Sequence, residues 1–199
     1  MKKIGVILAR LQPIHNGHLA LIEKSINEND ETYVFIGSAN KFNKRNPLPI
    51  SLRLMLCKEA FKEKFDWDEN TNIVKSKEGK NLHIVQLDDL TSESDNSHEW
   101  GFYLYSKIVT ETQCSNFTIY YSDGFEIITT WFPSYILRNN ISLSLLARGA
   151  TENGLSATQI RDTILGKTDL DLKSSVPSVV YAYKDTIKNH IELANLIEN

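Results

Sequence analysis

Cysteine is scarce in this chain: 199 residues hold only Cys57 and Cys114. Their spacing fits neither a metal knuckle nor a redox pair, so a disulfide framework is excluded and two reduced thiols of a cytoplasmic protein are expected. An excess of positive charge is also missing, with 22 Lys and Arg against 25 Asp and Glu and a formal net charge of -3. A general nucleic-acid binder would be strongly basic, so that class is excluded. No apolar run is long enough to span a membrane. Met1-Lys-Lys3 and the short apolar run after it lead into Arg10 rather than a small-residue cleavage site, so no secretory signal is expected. Internal repeats and linker-like changes of composition are absent, and the length fits one domain over 1–199.

What the chain does have is alternation. Short apolar runs predict strands near 3–9, 32–37, 82–87, 116–121 and 141–146, and helical periodicity predicts helices near 16–28, 51–65, 98–112, 125–131, 157–165 and 177–197. This order specifies an α/β fold, a Rossmann-like doubly wound parallel sheet of five strands with helices on both faces. The core is expected over 1–165. The helix 177–197 is expected to pack on it through a stripe of Val180, Tyr183, Ile187, Ile191 and Ala194. Asp68 to Lys80 reads as a surface loop and Gly166 to Ser178 as a solvated connection.

The most informative stretch is Ile4 to His18. A strand-length apolar run ends before Pro13, and Leu19, Ile22 and Ile26 then recur at helical spacing, so a helix begins within His15-Asn-Gly-His18. A helix N-terminus offers free N–H groups and the positive end of the helix dipole, both of which attract anions. Gly17 permits close approach of a ligand to the backbone. Taken alone, the two histidines fit ordinary polar residues or a metal pair as well, although no third ligand stands at a metal-like spacing. Near the other end, Gly154-Leu-Ser-Ala-Thr-Gln-Ile-Arg161 places Ser156 as an N-cap, with Thr158, Gln159 and Arg161 in the first turns. By itself this is also a capped surface helix.

Together these segments resemble the HxGH nucleotidyltransferases, most closely the nicotinamide mononucleotide (NMN) adenylyltransferases of the archaeal type and of bifunctional bacterial proteins. Ala9 to His18 is similar to the family's (G)RFQPFHxGH signature, with Ala9, Leu11 and Ile14 in place of Gly, Phe and Phe. Ser156 to Arg161 resembles its S-x-T-x-I-R motif. Gly37-Ser-Ala39 with Lys44-Arg-Asn-Pro47 resembles GSA…(R/K)NPF, with Leu52-Arg53 where Glu-Arg is usual. Asp89, Asn96 and Trp100 are similar to its D…N…W segment, and Tyr120 to Phe125 to its turn after the fourth strand. The bifunctional relatives carry a second, Nudix domain, which is not expected within these 199 residues.

The resemblance implies attack of the NMN phosphate on the α-phosphorus of ATP, giving NAD and pyrophosphate. It assigns catalysis to His15, His18, Arg10 and Arg161. ATP and its phosphates fall to Ala9, Leu11, Gln12 and Gly17, with Arg45, Ser156, Thr158 and Gln159. The acceptor falls to Gly37, Ser38, Asp89, Asn96 and Trp100, the last stacking on the nicotinamide ring, while Trp67 and Trp131 are assigned to the core. Mg²⁺ is expected mainly on ATP rather than in a protein metal site. A homo-oligomer is left open, and neither nucleic acid nor membrane is expected as a partner. Other acceptors, namely nicotinate mononucleotide, phosphopantetheine or a cytidylyl acceptor, remain open, as does a non-catalytic nucleotide sensor.

Overall fold

A computed structural model of the chain describes residues 2–62, 65–67, 73–76, 79–90, 98–123, 128–147 and 154–197. Its strands are β1 (Ile4–Ala9), β2 (Glu31–Ile36), β3 (Phe65–Trp67), β4 (Ile73–Ser76), β5 (Asn81–Gln86), β6 (Phe117–Ser122) and β7 (Ile141–Leu146). The longer helices are α1 (Asn16–Glu28), α2 (Ile50–Lys62), α3 (His98–Thr112), α6 (Ala157–Ile164) and α9 (Lys184–Ile197). Shorter ones are α4 (Ile128–Trp131), α5 (Ser134–Asn140), α7 (Leu172–Ser175) and α8 (Ser178–Ala182).

The sheet order is β3-β4-β5-β2-β1-β6-β7. The five expected strands are all present and pair in parallel, β5-β2-β1-β6-β7. Alternate residues of the central strands feed two cores, as expected for a sheet covered on both faces. Ile7, Val34 and Ile36 face α1, α2 and the C-terminal helices, whereas Val6, Tyr33 and Phe35 face α3, α4 and α5. Val176, Val180, Ile187 and Ile191 join the first of these cores.

Four expectations need correction. The segment Asp68 to Lys80 contains β4, and β3 and β4 extend the sheet in antiparallel fashion beyond β5. Ile73 and Val74 suit a strand, and the open edge of β5 gives them a partner. The second helix stops at Lys62, because Phe65 turns into the core and begins β3. The last helix breaks at Tyr183, which is 42% exposed, so Tyr183 drops out of the stripe while Val180, Ile187, Ile191 and Ala194 stay buried. The Gly166 to Ser178 connection holds α7, capped by Asp171, whose Oδ1 accepts from the Lys173 and Ser174 amides. Of the helix expected over 125–131, Ile128–Trp131 is described and 124–127 lie outside the described residues. Helix α5 is an addition. Among the described residues no helix is long and apolar enough to cross a membrane.

Gly101 lets α3 reach α4. A Cβ there would lie 2.0 Å from the Trp131 carbonyl oxygen and 2.6 Å from its carbon, closer than any side chain can sit against rigid backbone. Gly101→Ala therefore has to separate the two helices. Overpacking of this kind costs about 1–3 kcal/mol, so the melting temperature should fall by roughly 3–10 °C for a chain of this size. Thermal unfolding of the variant checks this, and an unchanged midpoint would show that the helices do not pack as described.

Candidate active site

The chain runs from β1 outward to β2 and β5, then returns past β1 to β6 and β7. Reversal of winding beside β1 leaves a crevice at the carboxyl ends of the strands, the usual place for ligands in open α/β sheets. A cavity of about 410 Å³ opens there. Its floor comes from the ends of β1, β2 and β6, through Ala9, Phe35 and Tyr121. One side is formed by the start of α1 and α6, the other by α3 and α4.

The α1 side carries the histidines. His15 is the N-cap of α1 in extended conformation, and no side chain caps that end. The His18 and Leu19 amides donate to the His15 carbonyl, and Gly17 at this helix start lines the cavity; the free N–H groups of a helix start favour anions. The two imidazole rings lie 3.8 Å apart, tilted by 36°. Gly17 eases that approach, since a Cβ there would sit a tight 3.1 Å from the His15 ring. Burial, reinforced by His15, holds the His18 imidazole well below its ordinary range. Its Nδ1 is buried without a hydrogen-bond partner among the described residues. A neutral imidazole keeps one N–H to donate and is drawn toward an arriving polyanion.

The α6 side carries Arg161, Thr158 and Ser156, all in the cavity wall. Arg161 donates from Nη1 to the Gln12 carbonyl (2.8 Å) and from Nη2 to Thr158 Oγ1 (3.2 Å), so it ties α6 to the loop after β1. Burial and the charge of Arg10 lower its pKa. Arg10 reaches Asn46 Oδ1 at 3.5 Å. Arg45 sits exposed in a tight turn closed by reciprocal backbone bonds between Asn43 and Asn46, and it borders the cavity.

Several expected residues stand differently. Gln159 lies outside the cavity wall: its amide completes a capping box, accepting from the Ser156 amide while Ser156 Oγ accepts from the Gln159 amide. Gln12 is in the wall, but its side chain bonds the Leu48 backbone in both directions. Leu11, in the wall, and Ile14 are each 1% exposed, so both departures from the family pattern fill the core. Leu52, in place of the usual acid, is buried in that same core. Asn96 lies outside the described residues, as does the side chain of Trp67.

Gly37, Ser38, Asp89 and Trp100, the residues expected to bind the acceptor, all line the cavity. Asp89 is held by its backbone, which exchanges hydrogen bonds with the Asn40 amide, and its Oδ2 is buried without a hydrogen-bond partner among the described residues. Trp131, expected in the core, packs against it half-buried and also lines the cavity edge-on to Trp100, with ring centroids 6.0 Å apart. Only the α3–α4 packing at Gly101 brings the two indoles together. The other residue that sequence reasoning passed over is Arg53, wholly buried behind the wall. Its guanidinium donates to the carbonyls of Arg10 (2.9 Å), Gly37 (2.7 Å) and Ser38 (2.9 Å). Burial and Arg10 bring it down to about 10. Its alignment with the family's Glu-Arg pair was the available signal.

The His18 shift has a sign. The folded state resists protonation that the unfolded chain accepts near its ordinary pKa of about 6.5, so the unfolded state binds more protons on acidification. His83, lowered mainly by burial, acts in the same direction. Stability from both is full above about pH 6.5 and declines below it. Melting curves between pH 7.5 and pH 5 should show this fall, and His18→Gln, which cannot titrate, should flatten it. Equal slopes for the two proteins would count against a buried, neutral His18.

A family model described as cytidylyltransferase-like matches residues 10–163. The nicotinamide-nucleotide adenylyltransferase of Methanococcus aeolicus is 40% identical over 60 residues, 30% of this chain and 35% of that protein. The phosphopantetheine adenylyltransferase of Francisella tularensis subsp. novicida is 35% identical over 63 residues, 32% of this chain and 38% of that one. These matches thus span about a third of each curated relative. Among solved structures, a bifunctional NMN adenylyltransferase/ADP ribose pyrophosphatase from Francisella tularensis, complexed with AMP and a manganese ion, shares the fold. Its TM-score is 0.67 at 17% identity, covering 98% of this chain and 52% of that one. The Plasmodium falciparum nicotinic acid mononucleotide adenylyltransferase has a TM-score of 0.56 at 15% identity, covering 96% and 98%. The family match begins at Arg10, takes in the histidine tetrad and reaches through Arg161, so the starts of both α1 and α6 lie within it: the chain belongs to the cytidylyltransferase-like family.

Proposed function

We propose that the protein transfers the adenylyl group of ATP to NMN, giving NAD and pyrophosphate. The observation that carries this reading is one cavity with the His15–His18 pair and Arg161 on one side and paired indoles, Trp100 and Trp131, on the other. The first side suits a polyphosphate and the second a flat pyridinium, which an indole face attracts by stacking and cation–π interaction. Several relatives are named as nicotinamide-nucleotide adenylyltransferases, which supports the choice of acceptor.

An oxygen of the NMN phosphate attacks the α-phosphorus, and the bond from that phosphorus to the β-phosphate bridging oxygen breaks. A phosphate monoester has its second pKa near about 6 and arrives largely ionised, so no general base is needed. The residues act by position and charge. The histidines donate to the α- and β-phosphates, and Arg10, Arg45 and Arg161 hold the β/γ end as charge moves onto pyrophosphate. Thr158 and the uncapped start of α1 add neutral donors. Mg²⁺ enters with ATP as part of the substrate, held by phosphate oxygens and water.

Pyrophosphate release from MgATP with NMN, nicotinate mononucleotide and 4′-phosphopantetheine as separate acceptors tests the reading. NMN should be the best acceptor, and a clear preference for either of the others reassigns the substrate. His18→Ala should lower turnover by about 10²-fold, the scale for removing one preorganised donor; near-normal turnover in a folded variant would remove His18 from the chemistry. Trp100→Ala should raise the KM for NMN by roughly five- to thirtyfold, corresponding to about 1–2 kcal/mol of stacking, with the KM for ATP nearly unchanged. Steady-state kinetics against both substrates decides, since equal losses for ATP and NMN would place Trp100 in the core alone.

A further inference from the structure

A guanidinium buried without a hydrogen-bonded carboxylate is expensive to desolvate, so its place in the fold needs a reason beyond packing. Arg53 is 0% exposed, and among the described residues its guanidinium donates to three backbone carbonyls, those of Arg10, Gly37 and Ser38, with the Asp89 charge nearby. These carbonyls stand where β1 and β2, adjacent and parallel, leave the sheet to form the cavity floor. A planar fork can bridge two neighbouring strand ends, whereas an ammonium is a single point.

The backbone at those ends is strained. Among the described residues three non-glycine positions have a left-handed φ, and two of them are here: Leu11 at 49° and Ser38 at 51°. The third, Gln113, ends α3 elsewhere. Leu11 follows a carbonyl that Arg53 holds, and Ser38 carries another. Leu11 is also bracketed from its far side, since Arg161 donates to the Gln12 carbonyl. Conformations of this kind persist only where their surroundings over-determine them, and they gather at functional sites.

We propose that Arg53 is a positioning residue of the transfer reaction, clamping the turns after β1 and β2 so that Arg10 is held toward the triphosphate and Ser38 keeps its place in the cavity wall. Arg53 touches no substrate and acts through the backbone. The kinetic side of the proposal rests on the adenylyl-transfer reading, whereas the clamp itself concerns ATP binding and does not depend on which acceptor is used.

Arg53→Lys and Arg53→Gln, each alone and combined with Ser38→Gly, test it. The measurements are melting temperature, kcat and KM for both substrates per folded molecule, and calorimetric affinity for MgATP with no acceptor present. Displaced catalytic groups cost on the order of 10²-fold in rate, so Arg53→Lys should lower kcat/KM for ATP by about ten- to a hundredfold and weaken MgATP binding. Ser38→Gly should recover part of that loss, because glycine adopts the left-handed conformation without a clamp. A lowered melting temperature with unchanged kinetics and MgATP affinity would overturn the proposal, as would losses for the two substitutions that simply add. Failure of both Arg53 variants to fold would make Arg53 a folding residue and overturn it equally. If wild-type protein releases no pyrophosphate with NMN, the functional reading fails, and MgATP affinity across the variants still decides the clamp.

Discussion

Everything at this site depends on the reversal of winding beside β1. With β2 and β5 laid to one side and β6 and β7 to the other, the connections leave the carboxyl end of β1 uncovered. A parallel strand ending there aims its last residues into the gap, and the helices that follow begin there. The histidine tetrad and the Ser156-capped helix, far apart in the chain, thus meet across one cavity. The two glycines that matter most serve the same convergence: Gly17 admits the His15 ring, and Gly101 admits the α4 backbone.

The electrostatics follow from that convergence. Burial and then the neighbouring Arg10 lower the pKa of both Arg53 and Arg161, so three guanidinium groups gather around the loop after β1. Like charges in a half-buried crevice repel one another less once an anion lies among them. His18 stays neutral through burial and so adds a donor without adding to that repulsion. The two sides of the cavity therefore differ in kind, one cationic and backbone-lined, the other aromatic with the Asp89 carboxylate at its edge.

Much of this was legible in the residues. The central strands β1 and β2 could be read from short apolar runs, because a strand buried on both faces needs them, and the flanking parallel strands from shorter alternating apolar runs. The N-cap at Ser156 was legible because capping chemistry is local, and the structure places Ser156 there. Gln159 illustrates the limit. Its spacing fits a phosphate ligand and a capping box equally well, and the side chain closes the box. Strands β3 and β4 escaped notice for a related reason. A three- or four-residue strand carries too little periodicity to read, and only the open edge of β5 gives it hydrogen-bonding partners.

By itself the sequence determined the alternation of elements, the helix starts that hold His15, His18 and Arg161, and membership of a nucleotide-handling family. Each of these rests on residues close together in the chain. Tertiary structure alone decided that Arg53 links two strand ends, that Trp131, packed against the core, also lines the cavity beside Trp100, and that Gln12 serves Leu48. Such roles depend on which distant backbone groups arrive at hydrogen-bonding distance. Local spacing carries no record of that, because the partners are chosen by sheet order and helix packing.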